Sequence, residues 1–178
     1  LSINDPRERP RTFREYAGRE HRKYNDNRSD LLWFLRAWHR VCSICKLTPS
    51  KMRRVARKEF LSDSRIKEWV LMEEHLRRIC LENGLSLNEQ PATYKNIHVA
   101  IAAGFPSSLA RRNQDWYIGC RDSVFTLHRN SILKKRKANW VLALDIVETE
   151  NSYARVAARV DPQWFVEVAP LLVKKTYD

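Results

Sequence analysis

Apolar side chains follow two different spacings along the 178-residue chain, and the change falls near residue 106. Before it, they recur every three or four positions, as one buried face of a helix requires. After it, short runs rich in β-branched and aromatic residues alternate with turn residues, which is typical of strands. The two spacings predict an α+β chain, with a helical bundle over residues 1–106 and a small β-domain over residues 107–178.

Four helices are predicted within the bundle. From Leu31 onward the apolar residues share one helix face until Pro49, which cannot continue a helix. A second helix follows Pro49, a third ends before Gly84, and a fourth ends before Gly104. A shorter helix is expected earlier, over Phe13–Tyr24.

The β-domain contains four clear strand patterns. They are Tyr117–Gly119, Val124–His128, Trp140–Val147 and Tyr153–Val160. A unit of this size fits a five-stranded barrel of the OB type, which often binds single-stranded nucleic acid, although other small barrels also fit. A last helix is expected after Pro162. A flexible linker is expected to contain Arg111 and Arg112.

Positive charge is spread over both parts of the chain. Lys and Arg number 33 against 21 acidic residues, for a net charge of +12. Residues 1–106 carry 21 basic and 13 acidic side chains, and residues 107–178 carry 12 and 8. Such an excess favours a polyanionic partner, either nucleic acid or an anionic membrane face.

Membrane insertion and secretion are not indicated by the sequence. Charged residues make up 30% of the chain, its apolar runs are too short to cross a bilayer, and its start lacks a secretory pattern. A cytoplasmic location with reduced cysteines is the expectation.

The cysteines and histidines do not form a recognisable chemical site. Cys42 and Cys45 follow His39, but a structural zinc ion needs four ligands and no second pair has suitable spacing. We therefore predict core cysteines on or beside the buried helix face and no metal. No histidine has a nucleophilic partner by spacing, so no catalytic residue is predicted.

The helical part holds five candidate nucleic-acid contacts. They are Arg53, Arg54, Arg57, Arg65 and Lys67. The first three make a basic stripe on the second helix, for which a solvated face is the alternative interpretation. Arg65 precedes Trp69 by one helical turn, so the pair could hold a nucleotide, or Trp69 could belong to the core.

The β-domain holds five more candidates. They are Arg121, Lys134, Lys135, Arg136 and Lys137. Arg121 follows a predicted strand directly. The other four form a cation run between two strands, where a loop could meet a nucleic-acid strand or serve only as a surface turn that favours solubility.

An ordered series of segments carries a resemblance to a known family. The segments are Leu1–Pro10, His21–Tyr24, Ser29–Leu32, Arg53-Arg54, Glu59–Leu61, Arg65–Trp69, Ile97-His98, Gly104, Tyr117–Arg121, Trp140-Val141, Glu148-Thr149 and Asp161–Trp164. In order and spacing, they resemble the C-terminal, helicase-associated region of DEAH-box ATP-dependent RNA helicases of the bacterial HrpA type. The resemblance implies a helical ratchet domain followed by an OB-fold barrel with a C-terminal helix.

The resemblance also implies a function. The region would hold single-stranded RNA, or DNA, against the motor domains of the same polypeptide. An alternative is a regulatory module that docks the motor lobes or an activator protein. The sequence contains neither a Gly-x-x-x-x-Gly-Lys-Ser/Thr loop nor an Asp-Glu-Ala-His motif. We therefore expect no ATP hydrolysis from this stretch alone, with ATP and magnesium bound by motor domains of the parent helicase.

Overall fold

The fold is α+β, as predicted from the two spacings of apolar residues. A computed structural model describes residues 4–148 and 150–168. Leu1–Ile3 and Thr149, which belong to segments of the resemblance, and the end of the predicted second domain lie outside these residues. The chain forms two compact units. The helical unit comprises residues 4–25 and 34–90, and the barrel unit comprises residues 26–33 and the described residues from 91 onward.

Helices precede strands in chain order. The helices are α1 (Arg14–Arg22), α2 (Leu31–Cys45), α3 (Pro49–Lys58), α4 (Asp63–Glu82), α5 (Tyr94–Gly104) and α6 (Gln163–Val168). The strands are β1 (Leu109–Asn113), β2 (Trp116–Ile118), β3 (Val124–Leu127), β4 (Trp140–Val147) and β5 (Tyr153–Arg159). Three short 3₁₀ turns cover Arg11–Phe13, Pro106–Ser108 and Cys120–Asp122.

The helical unit forms around the apolar faces that the sequence spacing predicts. Val41 and Ile44 of α2, Ala56 of α3, and Ile66 and Trp69 of α4 are all buried. Burying these side chains supplies most of the stabilisation, because a single helix of this length is marginal in water.

An extended N-terminal segment is fixed to the turn between α3 and α4. The amide of Glu8 donates to the carbonyl of Phe60 at 2.8 Å, and the amide of Ser62 donates to the carbonyl of Pro6 at 2.9 Å. The guanidinium of Arg65 donates to the carbonyl of Asp5 at 2.6 Å. These bonds satisfy backbone groups that a loose extended segment would leave to water.

The five strands close into a barrel. Their order around it is β1-β2-β3-β5-β4, with β4 pairing back to β1. Only the β3–β5 pair is parallel, and the other pairs are antiparallel. Because the barrel is closed, none of its strands presents an unpaired edge. This closed five-stranded barrel confirms the predicted OB type.

Small side chains fill the barrel. Ala110, Ala143, Ala154 and Ala157 share the interior with larger residues such as Phe125. Narrow barrels need such a mixture, because large residues alone would not fit across the interior.

Strand β4 is buried on both sides. Val141 points into the barrel cluster, whereas Leu142 joins a second cluster with Ala102 of α5 and Phe165 of α6. A strand that is covered on both faces needs apolar residues at successive positions rather than alternating ones. The uninterrupted run Trp140–Leu144 meets this requirement.

A short upstream segment is bonded into the barrel unit through Asp30. Its carboxylate accepts hydrogen bonds from the hydroxyl of Ser131 at 2.5 Å, the amide of Ile132 at 3.0 Å and the amide of Ala157 at 3.1 Å. Its own amide donates to the carbonyl of Ala157 at 2.8 Å. One side chain thus joins residues 26–33, the turn before β4 and strand β5.

The compact units and the predicted domains divide the chain differently. Segments 26–33 and 91–106 lie with the barrel in the compact units, whereas the predicted helical domain ran over residues 1–106. The domain limits of 1–106 and 107–178 stay a prediction.

Two local predictions were wrong. Arg111 and Arg112 lie on strand β1, not in a flexible linker, because Leu109–Asn113 pairs with β2 and β4 to close the barrel. Cys42 and Cys45 are exposed rather than in the core, since they lie beside the face of α2 that buries Val41 and Ile44.

Candidate nucleic-acid interface

Helix α3 presents a basic surface to solvent. Its buried face carries Met52 and Ala56, so Arg53, Arg54 and Arg57 lie on the exposed remainder of the helix. Among the residues that the structure describes, none of these three arginines forms an ion pair. Their charges are therefore available to an anionic ligand.

The start of α4 is organised differently. Trp69 is buried and contacts the rings of Phe34 and Trp38, with centroids 6.1 and 6.0 Å apart, so the core interpretation of Trp69 is confirmed. Arg65 is half-buried and its guanidinium holds the N-terminal segment. Lys67 is exposed, with its ammonium 3.8 Å from the carboxylate of Asp63. A base could not stack on Trp69 in this arrangement.

In the barrel unit, the cation run Lys134–Lys137 forms an exposed loop before β4, which we call the basic loop. Two buried residues, Leu133 and Ala138, flank the loop and fix both of its ends. Arg112 of β1 supports it, since its guanidinium donates to the carbonyl of Lys137 at 3.3 Å and to that of Gln114 at 2.8 Å. The loop therefore has a defined backbone beneath exposed cationic side chains.

A cavity of about 670 Å³ opens beside the basic loop. We call it the barrel cavity. Its polar and aromatic lining includes Arg28, Arg136, Lys137, Trp140, Arg159 and Trp164. The lining brings together residues from the upstream segment, the basic loop, both long strands and α6. Four of these side chains are cationic, so the cavity attracts anions.

Tyr94 organises one wall of the barrel cavity. Its hydroxyl lies 3.0 Å from the carbonyl of Arg28 and 2.7 Å from that of Arg159. The guanidinium carbon of Arg28 lies 4.1 Å from the centre of the Tyr94 ring, a cation–π contact. Burial raises the pKa of Tyr94 to about 12, so the hydroxyl keeps its proton and remains a donor.

A buried serine–histidine pair supports the same wall. Nδ1 of His98 lies 2.7 Å from the carbonyl of Tyr94 and therefore carries the proton, since a carbonyl only accepts. Nε2 then accepts from the hydroxyl of Ser29 at 2.7 Å. Both residues are almost fully buried, and burial lowers the pKa of His98. The pair resembles a catalytic dyad only in composition, because no substrate could reach the Ser29 hydroxyl.

A smaller hollow of about 210 Å³ also borders the basic loop. Its lining includes Arg112, Lys134 and Lys137. Lys137 therefore lines both spaces.

Only some of the predicted nucleic-acid contacts of the barrel unit lie together in the structure. Arg136 and Lys137 line the barrel cavity and Lys134 lines the smaller hollow, whereas Lys135 and Arg121 line neither. Arg121 is exposed in the tight turn between β2 and β3, with a left-handed backbone at φ 56°. Whether each candidate touches nucleic acid stays a prediction.

Several lining residues were missed from the sequence. Arg28, Arg159 and Trp164 lie in separate segments of the chain, and only the folded structure brings them to one cavity. Trp116 is exposed, and Trp140 is half-buried in the cavity wall.

Other kinds of site are not indicated within the described ranges. No group of three or more His, Cys, Asp or Glu side chains could hold a metal ion there. In the same part of the chain, every helix is too short or too polar to cross a membrane.

Comparison with known proteins finds one matching family and several similar proteins. Residues 97–172 match the family described as oligonucleotide/oligosaccharide-binding (OB)-fold. Over 99% of its length the chain is 36% identical to the ATP-dependent RNA helicase HrpA of Escherichia coli (strain K12) and 35% identical to the HrpA homolog of Haemophilus influenzae. It spans only 14% of the length of each.

A more distant relative matches part of the chain. Over 42% of the chain, identity is 29% to the pre-mRNA-splicing factor ATP-dependent RNA helicase prp22 of Schizosaccharomyces pombe, of which 7% is covered. Part of the chain thus matches the OB-fold family, and the chain as a whole is similar to a segment of HrpA-type RNA helicases, which confirms the resemblance seen in the sequence.

Proposed function

We propose that the chain is the strand-holding accessory region of an ATP-dependent DEAH-box RNA helicase. It binds single-stranded RNA while motor domains elsewhere in the polypeptide bind ATP and magnesium and drive unwinding. The observation that carries this proposal is the barrel cavity, where four cations and two tryptophans converge beside an exposed basic loop on an OB barrel. Relatives named as RNA helicases support the choice of RNA.

The chemistry of the surface fits a single strand. Cations that contact phosphates provide affinity without reading the sequence, and aromatic side chains stack on unpaired bases. The basic stripe on α3 offers a second phosphate-binding surface, with Arg53, Arg54 and Arg57 exposed. Arg65, Lys67 and Arg121 complete the proposed contacts.

Salt dependence tests this function. Fluorescence anisotropy of a labelled single-stranded RNA is measured with the 178-residue chain from low to high salt. Each phosphate contact lowers log K by about 0.7 per decade of salt for a single strand, so three or more contacts give a slope of about −2 or steeper. A labelled RNA hairpin serves as the control and should bind more weakly. Absence of RNA binding at low salt would contradict the proposal.

A second candidate function is the docking of another protein segment. Helix α4 favours it, because its residues Leu71, Leu76 and Leu81 are 66%, 52% and 59% exposed. The occupant would be a motor lobe or an activator protein. Replacing the three leucines with Ser should then abolish the stimulation of ATP hydrolysis that docking causes in the parent enzyme. The affinity for RNA should stay unchanged. Unchanged stimulation would exclude docking at this surface.

A further inference from the structure

We propose that the barrel cavity binds one nucleotide of a single strand, with its base against Trp140 or Trp164 and its phosphate on the surrounding cations. This inference rests on the proposed function and specifies the ligand unit at the same surface. It distinguishes a cavity that encloses a base from a basic surface that merely attracts a backbone.

The size of the cavity suits a nucleotide. Pockets that enclose small organic ligands measure about 300–1,000 Å³, and the barrel cavity measures about 670 Å³. The smaller hollow, at about 210 Å³, falls below that range. Within the described residues, the larger space is therefore the better fit for a base and its sugar.

The charge of the lining selects an anion. Arg28, Arg136, Lys137 and Arg159 are exposed at the cavity, and Asp161 is the one acidic lining residue. The carboxylate of Asp161 already accepts a hydrogen bond from the amide of Gln163 at 3.0 Å, at the start of α6. The cations therefore outnumber the acid, and the acid is already engaged in forming the helix.

Trp140 and Trp164 are the two tryptophans of the lining, and the ring of Trp164 meets that of Tyr94 in a T-shaped contact, with centroids 6.2 Å apart. Both tryptophans are half-buried, packing against the cluster of Leu142 and Phe165 while also lining the cavity. This packing restricts both side chains, so less conformational entropy is lost when a base stacks on them. Stacking on an aromatic side chain contributes about 1–3 kcal/mol per base in single-strand binders.

Tyr94 has a positioning role instead. Its ring lies 4.0 Å from the ring of His98 and 4.1 Å from the guanidinium carbon of Arg28. Two groups at these distances cannot share one face, so both faces of Tyr94 are covered. The backbone of Arg28 is also fixed, since its amide donates to Asp26 at 2.7 Å and its carbonyl accepts from the Arg159 amide at 2.7 Å. Arg28 is thereby held at the cavity before any ligand arrives.

The test compares two decamers, one of uridine and one with the same ribose-phosphate backbone but no bases. Binding is measured by anisotropy with the wild-type chain, with Trp164→Leu and with the matched control Trp116→Leu, an exposed tryptophan of the same barrel outside the cavity. We expect Trp164→Leu to weaken uridine binding about fivefold or more, which corresponds to about 1 kcal/mol. Binding of the abasic decamer should change less than about twofold, and Trp116→Leu should affect neither decamer.

A second measurement does not depend on how the variant folds. A decamer that contains 4-thiouridine is photocrosslinked to the wild-type chain, and the crosslinked peptides should contain Trp140 or Trp164. Crosslinks confined to other peptides would overturn the cavity proposal. Equal effects of Trp164→Leu on both decamers would overturn it too, and salt-dependent binding would then leave the proposed function intact. If an acidic peptide displaces the uridine decamer as well as unlabelled RNA does, the cavity takes protein rather than a nucleotide.

Failure of the broader function gives a different result. The wild-type chain would then bind neither decamer at low salt, and the comparison between variants would show no signal.

Discussion

The helical unit and the barrel unit are both basic, but they arrange their cations differently. On α3, Arg53, Arg54 and Arg57 lie on an exposed helix face with no aromatic partner among their described contacts. In the barrel unit, Arg136 and Arg159 line a cavity together with tryptophans. Charge on an open face attracts a backbone, whereas charge around a cavity with aromatic walls can also hold a base. Equal charge therefore does not imply equal function.

The largest difference should appear on charge reversal. One variant changes all four cations of the basic loop to Glu, and the matched variant changes four cations of α3, namely Arg53, Arg54, Arg57 and Lys58. The loop variant should lose about 100-fold in RNA affinity at low salt, because several phosphate contacts are removed at one site. The helix variant should lose about tenfold.

Anisotropy titrations at fixed salt measure both variants, and circular dichroism confirms that they fold. Equal losses of RNA affinity would show that the two units do not differ in how they contact RNA. A loop variant with unchanged RNA affinity would instead favour the docking of a protein partner.

Asp30 tests whether the barrel unit depends on its upstream segment. The Asp30 carboxylate accepts from Ser131 and Ala157 with one oxygen and from Ile132 with the other, and Asp30→Asn replaces one of these two acceptors with an NH₂ donor. Hydrogen bonds to a charged group contribute about 1.5–3 kcal/mol each, so we expect about 2 kcal/mol of lost stability in urea unfolding. The control is Asp145→Asn, an exposed partner of Arg155 at 3.5 Å, which should cost less than about 0.5 kcal/mol. Equal costs would show that the segment is not needed.

Each unit buries one histidine, and burial lowers the pKa of both His21 and His98. The folded chain therefore binds fewer protons than the unfolded chain below the ordinary histidine pKa of about 6.5. Stability is fully present above that pH and declines as the pH falls below it, through the lowered pKa of each buried histidine. The slope is at most about 1.4 kcal/mol per pH unit for each histidine.

Urea unfolding at several pH values measures the decline. His98→Gln should flatten it in the barrel unit, and His21→Gln is the matched variant for the helical unit. A pH slope that neither substitution alters would assign the effect to other groups.

Lys67 should give the smallest effect. Its ion pair with Asp63 spans 3.8 Å between exposed side chains, so Lys67→Ala should change stability by less than about 0.5 kcal/mol. RNA affinity should fall by about twofold if Lys67 contacts a phosphate. Lys46→Ala, an exposed lysine outside the proposed contacts, is the control for RNA anisotropy. A large loss for Lys67→Ala would place the start of α4 at the centre of the interface.

Local patterns predicted most of the elements because their causes are local. Pro49 opens α3, Gly84 takes a left-handed backbone at φ 69° after α4, and the apolar run of β4 reflects burial on both faces. Strand β1 was not predicted, because Leu109–Asn113 contains two arginines and an asparagine. It becomes a strand only through pairing with β2 and β4, which is a tertiary effect.

The sequence by itself determined the class of fold, the excess of positive charge and the basic loop, because apolar spacing and charge act over a few residues. Only the tertiary structure brought Arg28 to Arg159 and set Trp140 and Trp164 in one cavity wall. These residues are distant in sequence. Closure of the barrel, together with the hydrogen bonds of Asp30 and the burial of His98, makes them neighbours. The local sequence determines the charge that attracts a nucleic-acid strand, whereas the cavity that could enclose a nucleotide exists only after folding.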